Sequence, residues 1–209
     1  MCMSWYNNTK ISENDASRKF CLIGTAHGVL KLVDLEKNKV IFRETFSEFE
    51  TLYSCDWSQQ GFIVVGGQAQ KLGVRRFDKG SNSLAQIKDI LLTDSCRTIK
   101  FNPHMPWQVA CGMFKGTILL LNVETCKIEH QIQNGVERVL CLSWHPLIAD
   151  TLAVGDFGYN VNVHNIKKDT CVKLSQHKDR VRSVAWNHEL PWMLISAGDD
   201  QKIVVWDIR

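Results

Sequence analysis

The sequence predicts an all-β fold built from about five copies of one small antiparallel sheet. Three observations carry this expectation. A segment of 42 to 44 residues recurs along most of the chain. Each copy holds short apolar runs of strand length, bounded by Gly, Asn, Asp or Pro. No stretch sustains the spacing of an amphipathic helix.

The recurrence is plainest near the end of the chain. WNHELPWMLISAGDDQKIVVWDI, from Trp186, aligns with FNPHMPWQVACGMFKGTILLLNV, from Phe101. In both, an aromatic and Asn precede Pro-Trp, an apolar run, a polar turn, a second apolar run and an acid or amide region. WHPLIADTLAVGDFGYNVNVHNI from Trp144 and WSQQGFIVVGGQAQKLGVRRFD from Trp57 follow the same frame. A weaker copy starts at Trp5 and runs through KFCLIGTAHGVLKLVDLE. The anchoring aromatics Trp5, Trp57, Phe101, Trp144 and Trp186 are 52, 44, 43 and 42 residues apart. The first interval is longer because of the polar insert NNTKISENDAS, expected as an extended loop. The units lie near 1–46, 47–90, 91–132, 133–176 and 177–209.

Within each unit the runs read as strands. Unit five offers VRSVAW, WMLISAG and KIVVWDI; unit three offers CRTIKFN, WQVACGM and TILLLNV. Units one to four each continue into a fourth strand, KVIFRETF, SLAQIKDI, KIEHQIQ and TCVKLSQH, whereas VVWDIR has no successor. Short four-stranded sheets that cover one another's faces are the blades of a β-propeller. Their spacing also falls in or beside the range of WD repeats.

SQHKDRVRSVAW and LISAGDDQKIVVWDI resemble the WD40-repeat family, and the resemblance extends unevenly over nearly the whole chain. It implies a WD40 β-propeller of about five repeat units. The missing fourth strand of unit five makes a partial or incompletely closed propeller the expectation. The family's hydrogen-bonded tetrad falls on His177, Ser196, Asp200 and Trp206. A fully satisfied buried network of that kind fixes strand geometry. Other units depart from the pattern, with Phe77-Asp78 in unit two, Leu121-Asn122 in unit three and His164-Asn165 in unit four. Those blades are expected to rely on apolar packing.

Composition narrows the classes. The chain has 209 residues, 44% hydrophobic and 22% charged, which suits a globular core and disfavours disorder. No apolar run reaches the roughly 18 residues of a membrane span, and MCMSWYNNTK has no secretory pattern. A net charge of +3 is mild for a nucleic-acid binder. Eight cysteines lack any C-x-x-C pair and sit mostly in apolar runs. They are expected as small buried hydrophobes in a reducing compartment, cytoplasm or nucleus.

No enzyme is expected. His177, Ser196 and Asp200 have the residue types of a hydrolase triad, but the repeat accounts for all three and no G-x-S-x-G elbow is present. His104, His145 and His188 recur after first-strand aromatics and are expected as solvent-facing turn residues rather than metal ligands. Neither metal nor cofactor is expected. Pro106-Trp107 and Pro191-Trp192 could grip a partner, but packing between blades at the start of the second strand is the favoured reading.

Aligning the repeats leaves one candidate binding rim. Four residues before the first-strand aromatic stand Tyr53, Arg97, Leu140 and Arg182; two earlier stand Arg138 and Arg180, with Thr51 and Ser95 in their other copies. Phe114, Phe157 and Asp199 flank the next turn, with Gln70 as the copy in unit two. Arginine and aromatics are enriched at protein interfaces, and Arg pairs with carboxylate or phosphate through two parallel hydrogen bonds. The expected function is a non-enzymatic scaffold binding other proteins, with an acidic or phosphorylated segment on this rim. The alternative is RNA recognition by the same arginines and aromatics. A membrane is not an expected partner, and additional blades from a longer chain or another subunit are.

Overall fold

A computed structural model describes residues 2–5, 20–78, 80–81 and 83–209. The NNTKISENDAS insert lies outside the described residues. Apart from one 3-10 turn at Ser47–Phe49, the regular structure among the described residues is β-strand. No helix among them is long and apolar enough to cross a membrane.

The strands form five antiparallel sheets, each a meander of consecutive strands. The first holds β1 (Cys2–Trp5), β2 (Phe20–Gly24), β3 (Val29–Asp34) and β4 (Lys39–Thr45). The second holds β5 (Leu52–Trp57), β6 (Phe62–Gly67), β7 (Lys71–Asp78) and β8 (Ser83–Leu91). The third holds β9 (Cys96–Phe101), β10 (Gln108–Met113), β11 (Thr117–Asn122) and β12 (Lys127–Gln133). The fourth holds β13 (Val139–Trp144), β14 (Thr151–Asp156), β15 (Val161–Asn165) and β16 (Thr170–Leu174). The fifth has three strands, β17 (Val181–Trp186), β18 (Met193–Gly198) and β19 (Ile203–Asp207). The fold is thus all-β, with sheets of the propeller-blade type and no sheet closed on itself.

Inner strands are buried and outer ones wet. β6, β10 and β14 are buried at every position, as sheets covered on both faces require. β12 and β16 are exposed almost throughout.

The chain divides into two compact units, Met1–Ile99 with Val123–Cys126, and Lys100–Asn122 with Lys127–Arg209. In the first unit, Leu22, Leu32, Trp57, Ile63 and Phe77 form the centre of the core. Phe77 meets Trp57 edge-on at 5.7 Å and Phe42 at 5.8 Å, so the unit-two aromatic does pack apolarly where Trp was expected. Arg75 is buried there between Glu44 and Asp89, with its guanidinium against the Phe46 ring. In the second unit, one core joins Ile118 and Leu120 to Trp144 and Leu152, and another joins Val161 and Val163 to Val184 and Trp186.

A repeated hydrogen bond stitches this second unit. Trp144 Nε1 donates to the Lys100 carbonyl at 2.9 Å, and Trp186 Nε1 donates to the Ser143 carbonyl at 3.1 Å. Trp144 and Trp186 therefore bury their rings while each N–H reaches the first strand of the preceding repeat.

The histidine and cysteine expectations need correction. His104 and His188 are exposed, but His145 is buried against the Trp186 ring at 4.6 Å. Its Nδ1 accepts the backbone N–H groups of Leu147 and Ile148, so the ring acts as a cap for its own turn. Cys21, Cys55, Cys96 and Cys111 are buried, whereas Cys171 is exposed on the outer strand β16. Burial pushes the Cys141 thiol up to about 12.

Candidate functional site

The rim positions owe their outward aim to a defect repeated in the first strand of several sheets. Pairing skips one residue between Leu52 and Ser54, between Val139 and Cys141, and between Val181 and Ser183. The unpaired residues are Tyr53, Leu140 and Arg182. A bulge leaves one residue out of the ladder and re-aims its side chain. The position four before the anchoring aromatic is therefore a bulge position in these three sheets.

A second repeated feature sets the turn residue beside the arginine. Phe157 N–H donates to the Arg138 carbonyl at 2.9 Å, and Asp199 N–H donates to the Arg180 carbonyl at 2.9 Å. In the second sheet the same bond runs from Gln68 to Thr51. Gln68, not Gln70, is thus the structural counterpart of Phe157.

In the second unit these devices assemble a ladder of rings and guanidinium groups. The Arg138 guanidinium carbon lies 3.9 Å from the centre of the Phe114 ring and 5.2 Å from that of Phe157. Arg180 lies 4.1 Å from the Phe157 ring centre. Arg180 approaches Asp199 at 4.0 Å, and Arg182 grips Asp199 with both Nε and Nη2. The paired hydrogen bonds raise the Arg182 pKa and lower that of Asp199. Among the described residues no carboxylate lies within ion-pair distance of Arg138. Leu140 sits half-buried beside this row.

Gly116 lets Phe114 come this close. Its φ of +80° is a left-handed conformation, and a Cβ there would stand 2.3 Å from the Gly135 carbonyl oxygen and 2.7 Å from that of Glu137. The β10–β11 turn thereby packs directly on the loop that carries Arg138.

In the first unit, Arg97 lies over the Tyr53 ring at 4.8 Å. Ser95 Oγ donates to the Gln68 carbonyl, which ties this strand entry to the neighbouring turn.

The tetrad positions form one hydrogen-bonded chain. His177 Nδ1 pairs with Asp200 Oδ1 at 3.0 Å, His177 Nε2 with Ser196 Oγ at 2.8 Å, and Trp206 Nε1 donates to Ser196 Oγ at 2.8 Å. The Lys178 backbone N–H, then His177 and the Lys202 N–H, hold the Asp200 carboxyl down to about 2. Ser196 Oγ is enclosed between His177 and Trp206 at 1% residue exposure, so no substrate carbonyl can reach it. The three triad-like residues are tied into one hydrogen-bonded latch. Among the described residues no group of three or more His, Cys, Asp and Glu could hold a metal ion.

The fourth sheet carries a different polar network, which the repeat alignment did not show. His164 stands where Trp206 stands one sheet later, and its Nε2 meets Asn134 Oδ1 at 2.7 Å. Asn162 Nδ2 donates to Asp156 Oδ2 at 2.9 Å, and Asn134 Nδ2 approaches the same oxygen at 3.4 Å. Burial lowers the His164 pKa.

The Pro-Trp pairs depart from the packing expectation. Trp107 and Trp192 stand just before β10 and β18, but remain 37% and 38% exposed. Arg209 lies over the Trp192 ring at 5.6 Å.

Comparison with known sequences decides the repeat type. The family model described as WD domain, G-beta repeat matches residues 168–207, which hold the fifth sheet's latch. The chain carries a WD40 repeat. The chain is also similar to longer proteins over much of its length. Meiotic fizzy-related protein 1 of Schizosaccharomyces pombe is 24% identical over 156 residues, 74% of this chain and 35% of that protein. Protein transport protein sec31 of Emericella nidulans is 24% identical over 163 residues, 73% of this chain and 13% of that protein. Protein FIZZY-RELATED 3 of Arabidopsis thaliana is 24% identical over 174 residues, 81% of this chain and 34% of that protein. The chain thus spans about a third or less of the length of these relatives. None of these names bears out a narrower resemblance of WNHELPWMLIS and CDWSQ to WD repeat-containing protein seventeen.

Proposed function

We propose that the chain is a non-enzymatic scaffold whose second unit binds an acidic or phosphorylated segment of a partner protein on the Phe114–Arg138–Phe157–Arg180 row. One observation carries the reading. The Arg138 guanidinium rests against two phenyl rings and has no carboxylate partner among the described residues. Ring contacts occupy the faces of a guanidinium and leave its in-plane N–H donors for a carboxylate or phosphate. Arg180 adds positive charge beside it, while Arg182 is already matched by Asp199. Leu140 supplies an apolar contact next to the charged row.

RNA recognition by the same residues is less well supported. Arg138 and Arg180 both lie against the Phe157 ring, which reduces the ring surface open to a stacking base. Work in the cytoplasm or nucleus fits the predominance of buried free thiols. The names of the relatives attach to protein transport in one case and to fizzy-related proteins in the other, and the row itself does not choose between them.

The test is a binding titration with a blocked acidic peptide and its phosphoserine counterpart. Arg138→Ala is expected to weaken both by about tenfold or more, the equivalent of one charge-assisted hydrogen-bonded contact. Arg138→Lys should recover only part of the loss, because an ammonium lacks the two-pronged geometry. Unchanged affinity in Arg138→Ala, or equal affinity for a neutral peptide of the same length, would sink the reading.

A further inference from the structure

We propose that the wedge between the fourth and fifth sheets of the second unit is a separate binding site. Its occupant is the large apolar side chain of a neutral, extended protein segment, whose flanking peptide group bonds to Asn165 and Thr170. The wedge is a cavity of about 420 Å³, within the size range of ligand sites. Trp186, Pro191, Trp192 and Ile208 form one wall, and Val163 with Val172 form the other. Ile148, from the turn between β13 and β14, closes one side.

The floor of the wedge is core and its mouth is exposed. Val163 and Trp186 are buried, whereas Val172 is 54% exposed, Ile148 49% and Trp192 38%. These mouth residues make one concave apolar surface rather than scattered exposures, which is what marks an interaction site.

A polar rung crosses the same wall and says what the occupant carries. Thr151 pairs with Asn165, and Asn165 pairs with Thr170, so the three side chains share one face of the fourth sheet. All three line the wedge. Asn165 Oδ1 accepts the Lys168 backbone N–H, leaving its amide nitrogen. Among the described residues, neither that nitrogen nor the hydroxyls of Thr151 and Thr170 bond to any protein group. An amide donor and a hydroxyl beside an apolar slot complement a peptide carbonyl and N–H. No Asp, Glu, Lys or Arg lines the wedge, and its one titratable side chain, His145, has its pKa lowered by burial, so the complement is neutral. That chemistry is opposite to the row around Arg138.

The walls are held in place without a ligand. His145 caps the Leu147–Ile148 turn through Nδ1 and packs on Trp186. The Ile208 N–H donates to the Trp192 carbonyl at 3.0 Å. Both sides of the slot are therefore fastened to the sheets, and binding needs little reordering.

The probe is the blocked dipeptide N-acetyl-Leu-Trp-amide, titrated into the whole chain to about 10 mM and followed by NMR, a range that captures weak contacts. Saturable shifts are expected at the Trp192 indole N–H and the Val172 methyl groups. Val172→Asp, at an exposed position, should weaken binding by about tenfold or more, and Thr170→Val, which keeps the volume, by a few-fold. N-acetyl-Asp-Glu-amide should leave these signals unmoved. Absence of saturable shifts, equal affinity in Val172→Asp, or equal response to the acidic dipeptide overturns the assignment. So does a concentration-dependent dimer that Val172→Asp dissolves, because the wedge would then belong to a second copy of the chain. Since Arg138 lies outside the wedge, failure here leaves the acidic-segment reading standing, and the reverse also holds.

Discussion

In the fifth sheet a single hydroxyl, Ser196 Oγ, accepts the Trp206 N–H and pairs with His177, which in turn meets Asp200. In the fourth sheet the residue at the Ser196 position is Val154, and the Trp206 position holds His164. The linkage through the middle strand is gone. His164 instead reaches sideways to Asn134, and Asp156 gathers Asn162 and Asn134. Both sheets tie their inner strands to the segment entering the sheet, one through a buried hub and the other through a distributed set. A hub concentrates the cost of losing one atom, because each orphaned buried partner carries its own desolvation penalty.

Substitution separates the two designs. Ser196→Ala strands both His177 Nε2 and Trp206 Nε1, and should lower stability by roughly 2–3 kcal/mol. His164→Leu removes the Asn134 bond and a weak contact with the exposed Cys171 thiol, and leaves half-buried Asn134 able to turn toward water, so about 1 kcal/mol is expected. Denaturant unfolding of the two variants checks the order. A loss in His164→Leu equal to or above that in Ser196→Ala breaks the distinction between hub and distributed set.

Acid sharpens the same comparison. Burial lowers the pKa of His164, and likewise that of His145, below the ordinary histidine value. The unfolded chain then binds protons that the folded chain refuses. Stability is therefore full above roughly pH 6.5 and falls as the pH drops from there toward the folded-state pKa values, by at most about 1.4 kcal/mol per pH unit for each group. Melting curves between about pH 7 and pH 5 should show this decline. His164→Leu should flatten it without abolishing it, since His145 still titrates. A decline of undiminished slope in that variant would remove His164 from the account.

The smallest effect concerns the rim, where the two sheets also differ. Arg138 faces rings, whereas Arg182 is clamped by Asp199. Asp199→Ala should leave stability almost unchanged, because the pair is exposed. It should nonetheless tighten binding of the acidic peptide by releasing Arg182. Looser binding in that variant would mean that Asp199 positions the arginines rather than masks them.

Much of the fold was legible in the residues because strand alternation and turn chemistry are local. The strands of a unit and the anchoring Trp residues follow from spacing along one repeat, and the positions of His177, Ser196, Asp200 and Trp206 from the resemblance to the WD40-repeat family. Phe77 and Leu121, standing in for Trp, likewise read as apolar packing, and both are buried. Where a substitute was polar the same reasoning failed. Nothing in His164 alone announces Asn134, thirty residues earlier, as its partner, and His145 looked like a wet turn residue until the fifth sheet's Trp186 was laid against it.

The sequence by itself determined the repeat, its strand order and which residues occupy equivalent columns, since each depends on periodicity within some forty residues. Only the tertiary structure decided which members of those columns act together. The bulges turn Tyr53, Leu140 and Arg182 outward, and Gly116 admits Phe114 beside Arg138. The slot beside Trp192 exists because Asn165 and Thr170 of one sheet face Pro191 and Ile208 of the next. Those are contacts between repeats, where the physics is packing of distant surfaces, and no pattern within a single repeat encodes them.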